Sequence, residues 1–535
     1  MDGQTASTAN VGTSEDARLE ALGYQPQLKR VLGFFSNFAV AFTYLSPMVG
    51  IYSLFILGVG TGGPAYVWLT IIPVVGMLFV ALVFGELASH YPVSGALFQY
   101  SKFNVSAGYG WFVGWFYGIA LLVTVASVDT GVVSYVCQLF KNWGWSNWNP
   151  ASHTTILLIT IVLLAIQTFG NTIGAAVMGA IARFGVGVEV LGTLGIAIIL
   201  GIHGFHHGLG FLFTTQGAQH AATNPLGVNF GGSWVLAALV AVLAPVYIFY
   251  GFESAGDIAE ETKDAGRQIP KAMRHALIWG GVTSLILTGA LLLALPKHDP
   301  MTTAVAGVPT ILGELSTGMQ DFLLLLIIFA FFSCGSSIQG AGSRLAFSFG
   351  RDGALPGSNW ISKVNSRFKT PINALVAGAL ISLAFVFLVY YSPSHNVKIG
   401  FITYPANINA LFALVSFAVS GIYLSFFLTV IGSMIARWRG WVPEGTFRLG
   451  KWGWTVSWIA VVYLGLMLLD VIYPSGLAPD GRGEFNYDWI TLGVMVIIAL
   501  VGSIYFFAAR PDRKISTHRH EPATAPPEAP PATTV

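Results

Sequence analysis

Four carboxylic acids lie inside long apolar stretches of the sequence: Asp129, Glu189, Glu253 and, closer to the end of its stretch, Asp257. A charged side chain at the centre of a bilayer costs about 2.5 kcal/mol or more, so such residues are rare and usually functional. No lysine or arginine lies comparably deep in these stretches. Each acid is therefore either protonated, because burial disfavours the charged form, or faces a cation from outside the chain. Both options suit a site that handles protons or other cations.

Glu253 directly follows a predicted interruption of its helix, in the segment "YGFESAGD". A carboxyl group and freed backbone groups can act together at such a point, so Glu253 is predicted to be an ion-coupling residue. Asp257, Glu260 and Glu261 fall where the chain leaves the membrane. We expect these three acids to be solvated or paired with the basic residues of the following loop.

The two remaining acids each allow two interpretations. Glu189, in "RFGVGVEVLGTLG", is either a protonated acid bonded to a neighbouring helix or part of an ion-coupling site. Asp129, in "LLVTVASVDTGVVSY", faces either the amine of a substrate or a local network of Ser and Thr hydroxyl groups.

Three serines share the apolar segment "FFSCGSSIQG", namely Ser333, Ser336 and Ser337. Hydroxyl oxygens are suitable ligands for a hard cation such as Na⁺. Serines also allow membrane helices to pack closely, which is the commoner reason for finding them there. The sequence leaves both roles open, and we include the three serines among the ion-coupling candidates.

The sequence contains no motif that indicates an enzyme. We find no credible match to any of four common motifs: the P-loop, the dinucleotide fingerprint, the HExxH zinc motif and the nucleophile elbow. The two cysteines, Cys137 and Cys334, lie in different apolar stretches and offer no metal-ligand spacing. We expect no enzymatic activity, no cofactor and no bound metal, and any transport would have to be driven by an ion or solute gradient.

The elements that carry these residues are predicted to be membrane-spanning helices. Hydrophobic residues make up 54% of the 535 residues and charged residues only 9%, which is too little charge to cover a soluble protein of this size. Apolar runs of about 20 residues, long enough to cross a bilayer, recur along the chain. We predict an all-α polytopic membrane protein with twelve spans, numbered in order: 32–58, 64–88, 107–139, 153–171, 179–201, 233–258, 273–296, 320–347, 371–391, 408–436, 453–474 and 487–508.

The distribution of basic residues predicts the orientation. With the N-terminus inside, only four of the 26 Lys and Arg residues fall in outside loops: Lys141, Lys297, Lys398 and Arg482. This asymmetry fits the positive-inside rule and places both termini in the cytoplasm of a cell whose plasma or inner membrane holds the protein. Residues 1–31 are predicted to be a disordered arm and the Pro/Ala-rich residues 509–535 a disordered tail, flanking one membrane domain at 32–508.

Two of the predicted spans are interrupted near their centres. Span 1 contains Ser46, Pro47 and Gly50, and span 6 contains Pro245 and Gly251. Proline lacks a backbone donor and glycine tolerates non-helical dihedral angles, so both helices can unwind there. Breaks at corresponding positions of two halves predict an inverted five-plus-five repeat, here 32–201 and 233–436 with 453–508 added, and a binding site at the midplane. Ordinary proline kinks are the simpler alternative.

Four stretches in the right order resemble one family. They are "GELASHYPVSGALFQYSK", "YGFESAGDIAEETKDAGRQIPKAM", "GSRLAFSFGRDGALP" followed by "TPINAL", and "GTFRLGKWG". Together they resemble the amino acid–polyamine–organocation transporter superfamily, and the last stretch is similar to its amino acid/choline branch. The resemblance covers about 32–508.

The resemblance implies a leucine-transporter-like fold that works by alternating access, with broken helices 1 and 6 and the substrate held between spans 1, 3, 6, 8 and 10. It implies that backbone N–H groups after the first break receive a substrate carboxylate, that Glu253 serves coupling or gating, and that Glu189 stands where relatives often carry a lysine. The residues expected to bind substrate are Leu45, Ser46, Met48, Val49, Gly50, Asp129, Tyr247, Phe249, Tyr250 and Gly251.

The sequence therefore predicts a secondary active permease that imports a small amino acid or related amine, coupled to H⁺ or Na⁺. An exchanger of the same fold is the alternative, and a non-transporting membrane receptor is a second one. The expected partners are the small-molecule substrate, the coupling cation and membrane lipid, with no nucleic acid, and the expected state is a monomer or loose homodimer.

Overall fold

The computed structural model describes residues 15–145, 148–220, 222–224, 226, 230–390, 397–399, 402–404, 410–473 and 489–515. Its first half contains the helices Phe34–Leu45, Pro47–Gly62, Ile71–His90, Ala96–Asn104, Ala107–Gly131, Val133–Asn142, His153–Thr172, Ala175–Gly204, Trp234–Ala241, Leu243–Ile248 and Ser254–Asp257. Its second half contains the helices Ala265–Leu293, Pro300–Val305, Val308–Leu312, Thr317–Arg351, Ser358–Ile361, Ile372–Tyr390, Ala410–Trp438, Gly453–Ile472 and Ile490–Ala509.

Short 3₁₀ helices and one hairpin complete the described chain. The 3₁₀ helices are Pro64–Thr70, Leu209–Phe213, Ala259–Glu261, Gly450–Trp452 and Pro511–Arg513. Strands β1 (Val397–Ile399) and β2 (Ile402–Tyr404) pair antiparallel between spans 9 and 10. Apart from this hairpin, the described residues confirm the predicted all-α class.

Ten helices of the described chain are long and apolar enough to cross a membrane, as expected of a polytopic membrane protein. Two shorter apolar helices, Trp234–Ile248 and Ile372–Leu388, occupy the places of predicted spans 6 and 9. Large apolar side chains such as Leu191, Ile198 and Ile202 on span 5 are exposed, which suits contact with lipid. The count of twelve spans and the inverted repeat stay predictions.

Span 1 is broken at one residue. Its first half, span 1a (Phe34–Leu45), and its second half, span 1b (Pro47–Gly62), meet at Ser46, whose φ of 39° is left-handed. Pro47 disfavours the helical conformation for the residue before it and then starts a new helix in its own fixed φ. Gly50 lies inside span 1b rather than in the break, and a Cβ there would collide with Ile248. Gly50 therefore serves close helix packing, which corrects its predicted part in the unwinding.

Span 6 is broken over a longer segment. Span 6a ends at Ile248, the chain is non-helical through Phe249–Glu253, and span 6b is the short helix Ser254–Asp257. Gly251 has φ +103°, and a Cβ there would come within 2.7 Å of the Tyr44 ring. Only glycine combines this conformation with this approach at little cost. Pro245 lies inside the last helix of span 6a, before the break.

The two broken helices lie at the centre of the bundle. Span 1b contacts span 6a, and span 1a packs against spans 5, 7 and 8. Span 3 packs against spans 8 and 10, and span 6b contacts span 1a and span 8. The breaks are thus enclosed by the helices between which the predicted substrate site lies.

Residues 15–31 pack against one end of the bundle, which corrects the expectation of a disordered arm for that part. Residues 15–21 are helical, and Leu19 and Tyr24 are buried with Val93 in a small apolar cluster. We call this end of the bundle the arm side. Residues 1–14 of the predicted arm lie outside the described residues.

The prediction of a disordered C-terminal tail is likewise wrong for the first residues of that tail. Pro511–Arg513 form a 3₁₀ turn, and the side chain of Ile515 is buried. Residues 516–535 lie outside the described residues.

Candidate functional site

The break in span 6 holds the carboxyl group of Glu253. The Gly251 backbone N–H donates to Glu253 Oε2 over 2.8 Å, and the Glu253 side chain is completely buried. Ser254 returns to the same turn, since its hydroxyl and its backbone N–H both donate to the Gly251 carbonyl. The carboxyl group therefore replaces part of the hydrogen bonding that the broken helix has lost.

Asp257 is part of this site, which corrects its predicted place at the solvated end of the helix. The Tyr117 hydroxyl of span 3 lies 2.7 Å from Asp257 Oδ2 and 3.2 Å from Glu253 Oε1. All three side chains are fully buried. Because Glu253 precedes span 6b, residues 253 and 257 are four positions apart on one helical face, and a tyrosine from span 3 reaches both.

Aromatic side chains surround the break. The Tyr250 ring makes edge contacts with Tyr44 of span 1a and with Tyr247 of span 6a, at centroid distances of 6.0 and 5.7 Å. The Tyr247 hydroxyl lies 3.0 Å from the Ser127 hydroxyl of span 3. Phe249 is also fully buried. The predicted substrate residues of span 6 thus lie together, against spans 1a and 3.

Glu189 of span 5 lies at the break in span 1. Its carboxyl group faces the Ser46 side chain and the Met48 backbone N–H, at the start of span 1b. The N-terminal end of a helix carries partial positive charge, which suits a carboxylate. No donor among the described residues reaches either Glu189 oxygen with hydrogen-bond geometry. The acid therefore stands at the end of span 1b where a substrate carboxylate was expected.

The other backbone donors after the break are used within the chain. The Val49 N–H donates to Ser46 Oγ over 3.3 Å, and the Gly50 N–H donates to the Ser46 carbonyl over 3.1 Å. The expectation that the backbone N–H groups after the first break receive a substrate carboxylate is thus not met by Val49 and Gly50 in this conformation. The reason is that Ser46 alone leaves the helix, so the first turn of span 1b is closed. Leu45, the last residue of span 1a, is buried beside it.

The three serines of span 8 lie beside span 1a and span 5. The Ser337 hydroxyl is 2.7 Å from the Thr43 hydroxyl of span 1a. A Cβ on Gly185, one helical turn before Glu189, would collide with Ser333 Oγ. The Ser333 and Ser336 hydroxyl groups are buried and have no hydrogen-bond partner among the described residues. Both predicted roles fit this arrangement, since the serines allow close packing and leave oxygen atoms unsatisfied.

Asp129 faces span 4, which neither of its predicted interpretations included. Gln167 Nε2 donates to Asp129 Oδ1 over 2.8 Å. A Cβ on Gly335 of span 8 would lie 2.9 Å from the same oxygen, so the backbone of span 8 closes over this contact. The second oxygen, Oδ2, has no partner among the described residues. An amide side chain from span 4 therefore takes the place predicted for a substrate amine or a hydroxyl network.

Glu260 and Glu261 are buried and paired with arginines of span 8, which corrects the prediction that they meet solvent or the following loop. Arg344 donates to both carboxylate oxygens of Glu261 over 2.8 and 3.0 Å, and Arg351 does the same for Glu260 over 2.9 and 3.1 Å. The helix of span 8 continues to Arg351, beyond its predicted end, so Arg344 lies well inside it. These pairs join spans 6 and 8 on the arm side.

The arm adds a third polar contact on this side. Lys102 donates to Asp352 Oδ2 over 2.8 Å and also to the Tyr24 hydroxyl, which itself donates to Asp352 over 2.9 Å. Burial lowers the pKa of Lys102 and raises the pKa of Tyr24 well above its ordinary value. Glu15 accepts from the backbone N–H groups of Asp264 and Ala265 at the start of span 7. Burial raises the pKa of that carboxyl group.

Sequence reasoning missed Tyr117, Gln167 and Arg344, all of which contact predicted acids. Tyr117 precedes Asp129 by twelve positions in span 3, which is roughly 18 Å along a helix, so proximity to Asp129 could not have suggested it. The four-residue spacing of Glu253 and Asp257 was the one readable signal. It identifies a shared face when the residues are in a helix.

The arrangement combines two chemical capacities. The pair of carboxyl groups around Tyr117 can hold and exchange a proton away from water, because all their oxygens are buried. The oxygen atoms of Glu189, Ser333 and Ser336 can ligate a hard cation. The described residues contain no group of three or more His, Cys, Asp or Glu side chains that could hold a metal ion.

Comparisons with known proteins agree on one family. The family model described as "Amino acid permease" matches residues 32–500. The amino-acid permease BAT1 of Arabidopsis thaliana is 27% identical to this chain, over 95% of this chain and 97% of its own length. A BAT1 homologue of Oryza sativa subsp. japonica is also 27% identical, over 94% and 96%. The GABA-specific permease of Saccharomyces cerevisiae is 24% identical, over 92% of this chain and 84% of its own length.

Proposed function

The chain belongs to the amino acid permease family, and we propose that it imports a small amino acid or related amine by secondary active transport coupled to H⁺. The observation that carries this proposal is the position of Glu253. Its carboxyl group is fully buried in the break of span 6, is held by the Gly251 N–H and by Tyr117, and forms no ion pair with any described Lys, Arg or His. A buried acid without a cationic partner gains or loses a proton when its access to water changes.

The substrate would bind where the two broken helices meet. Span 1b presents the positive end of its dipole and span 6a the negative end, so the carboxylate and the ammonium group of an amino acid would find opposite partial charges there. The candidate contacts are Leu45, Ser46, Met48, Val49, Gly50, Tyr247, Phe249, Tyr250 and Gly251, with Asp129 further along span 3. Because Glu189 already faces the Met48 N–H, the substrate carboxylate would bind after that acid is neutralised by a proton or a cation.

Alternating access would open one side of this site at a time. The ion pairs of Arg344 and Arg351 with span 6 hold the arm side closed, and opening requires their separation. The excess of basic residues on this side supports its assignment as the cytoplasmic side, which would make the protein multi-pass with both termini in the cytoplasm.

Na⁺ coupling is the second candidate, favoured by the oxygen atoms beside the first break. The Glu189 carboxyl and the Ser333 and Ser336 hydroxyl groups are buried without hydrogen-bond partners among the described residues. Unsatisfied buried oxygen atoms are costly, and a bound cation would relieve that cost.

Uptake into proteoliposomes tests the proposal. The probe is a radiolabelled mixture of the protein amino acids with γ-aminobutyrate, supplied under an inward H⁺ gradient, an inward Na⁺ gradient or neither. We expect accumulation driven by the H⁺ gradient, and we expect Glu253→Gln to abolish that dependence. The matched control is Glu314→Gln, which changes an exposed acid.

Three outcomes would contradict H⁺-coupled import. Accumulation driven by Na⁺ alone would favour the second candidate. Exchange of labelled for unlabelled substrate without any effect of either gradient would indicate an exchanger. Ligand-dependent thermal stabilisation without flux would indicate a receptor.

A further inference from the structure

Tyr117 contacts two carboxyl groups with a single hydroxyl. Its oxygen lies 2.7 Å from Asp257 Oδ2 and 3.2 Å from Glu253 Oε1, and both distances are within hydrogen-bond range. A phenol carries one proton, so it can donate to only one of the two acids. The other contact is a hydrogen bond only if that acid keeps its own proton and donates it to the Tyr117 oxygen. The geometry therefore fits one acidic proton and one negative charge shared by the pair.

The surroundings of the two acids differ, and the difference locates the charge. Glu253 accepts a second hydrogen bond, from the Gly251 N–H over 2.8 Å. The remaining oxygen of Asp257, Oδ1, is buried and has no partner among the described residues. A carboxylate is stabilised by each N–H that donates to it, whereas an unsolvated carboxylate is strongly disfavoured. The negative charge thus belongs on Glu253 and the proton on Asp257.

The titratable groups that face the pair are tyrosines. Span 1a contributes Tyr44, which faces both acids, and the helix Ala96–Asn104 contributes Tyr100, which faces Asp257. Tyr250 of the break and Tyr423 of span 10 face Glu253. No described Lys, Arg or His forms an ion pair with either acid. Neighbouring cations therefore do not neutralise the pair, and a proton must do so.

We propose that Asp257, Tyr117 and Glu253 form a proton relay between the arm side and the substrate site, with Asp257 and Tyr117 as positioning and relay residues for Glu253. The proposal rests on the H⁺ coupling proposed above. Glu253 lies at the break beside Tyr44 and Tyr250, whereas Asp257 lies one helical turn further toward the arm side.

The transfer step is balanced within the three side chains. During import, Glu253 takes up a proton from the substrate side while Asp257 keeps its own, and Asp257 then releases its proton to the arm side. The Glu253 O–H bond breaks as its proton passes to the Tyr117 oxygen, and the Tyr117 O–H bond breaks as its proton passes to Asp257 Oδ2. Tyr117 ends with one proton, as it began, Glu253 regains the negative charge, and Asp257 is neutral again.

Transport by Tyr117→Phe and Asp257→Asn tests the relay, with Tyr52→Phe as the matched control. Tyr52 is a buried tyrosine whose hydroxyl has no partner among the described residues, and it lies in span 1b away from the pair. We expect both relay variants to slow H⁺-driven accumulation of the amino acid mixture on the order of 100-fold, the scale of a lost proton-transfer group. Counterflow under equal pH on both sides should fall far less, because exchange returns the carrier with its proton still bound.

The outcomes separate the relay from the proposed function. If the wild-type protein itself ignores the H⁺ gradient, H⁺ coupling fails. If the wild type responds and Tyr117→Phe responds equally, H⁺ coupling stands and the relay is overturned. Equal losses of H⁺-driven accumulation and counterflow in both variants would also overturn it, because they indicate a structural role.

Infrared spectroscopy gives a readout that does not require transport. In the purified wild type we expect the carbonyl stretch of protonated buried carboxyl groups, with one component that is lost in Asp257→Asn and persists in Glu253→Gln. Any component from the other buried acids, Glu189 and Asp129, is common to all three proteins. Loss in Glu253→Gln with persistence in Asp257→Asn would reverse the assignment and contradict the proposal.

Discussion

Removing the charge of Glu261 should open the arm side of the protein. Arg344 donates to both carboxylate oxygens of Glu261, and neither side chain is more than 1% exposed. The Glu261 carbonyl also accepts from the backbone N–H groups of Val31 and Leu32, each over 2.9 Å, where span 1 begins. The ion pair therefore lies where spans 1, 6 and 8 meet. The variant Glu261→Gln leaves the Arg344 charge buried without its counter-charge.

The expected effect is large. Breaking a buried ion pair by removing one partner costs about 3–5 kcal/mol, because the remaining charge stays desolvated. When the arm side opens, water solvates both side chains, so the cost falls on the closed state and much less on the open one. Since about 1.4 kcal/mol corresponds to a factor of ten, the closed-to-open ratio should fall by a factor of about 10² to 4 × 10³.

Cys334 reports this change without an engineered cysteine. Its thiol is 1% exposed and donates to the Tyr44 carbonyl over 3.3 Å, at the end of span 1a. When opening precedes modification, the rate of alkylation by N-ethylmaleimide is proportional to the open population. We expect alkylation of Cys334 to accelerate on the order of 100-fold in Glu261→Gln. Mass spectrometry measures it beside Cys137, a buried cysteine of span 3 that serves as an internal control.

A double variant separates charge from packing. Glu261→Met with Arg344→Met removes both charges, and replacing a buried pair by apolar residues is often nearly neutral. Its Cys334 alkylation should return close to the wild-type rate. Alkylation of Cys334 in Glu261→Gln at the wild-type rate would show that the ion pair does not hold the arm side closed. Equally faster alkylation of Cys137 would also contradict the prediction, because it would indicate general loosening of the fold.

Three further predictions concern the breaks and the arm. Gly251→Ala should abolish uptake, because the φ of +103° disfavours a side chain and the new Cβ would lie 2.7 Å from the Tyr44 ring. The control variant Gly187→Ala should retain uptake, because no atom lies within 4 Å of its Cβ. Glu189→Gln should remove any cation dependence of uptake, and an unchanged dependence would make this residue structural. Burial lowers the pKa of Lys102 below its ordinary value of 10.5. Just below pH 10.5 the unfolded chain therefore binds more protons at this residue than the folded protein does, so Lys102 makes the free energy of unfolding increase with pH. Lys102→Met should flatten that alkaline rise in melting temperature, and a rise of unchanged steepness would contradict the assignment.

The helix breaks could be predicted from the sequence because their causes are local. Pro47 determines the conformation of the residue before it, and Gly251 supplies a left-handed φ, so both act within one or two residues. Gly50 resembled a break residue by the same argument. The requirement for glycine at position 50 is non-local, since Ile248 from another helix occupies the space that a side chain would need.

The partners of the acids could not be predicted, because they come from other helices. Tyr117, Gln167 and Arg344 reach their acids only once the arrangement of spans 3, 4 and 8 around span 6 is known. The depth of Arg344 was misjudged because span 8 continues four residues past its predicted end at residue 347, to Arg351. Helix ends are set by caps and tertiary contacts that hydropathy does not report.

A proton-sensitive dye inside proteoliposomes measures directly whether H⁺ enters with the substrate. Vesicles containing pyranine and the purified protein are given the mixture of protein amino acids and γ-aminobutyrate outside, with no ion gradient imposed. If H⁺ is coupled to import through Glu253, amino acid entry acidifies the interior in the wild type, and Glu253→Gln eliminates the acidification. Amino acid uptake by the wild type without any change in internal pH would contradict it.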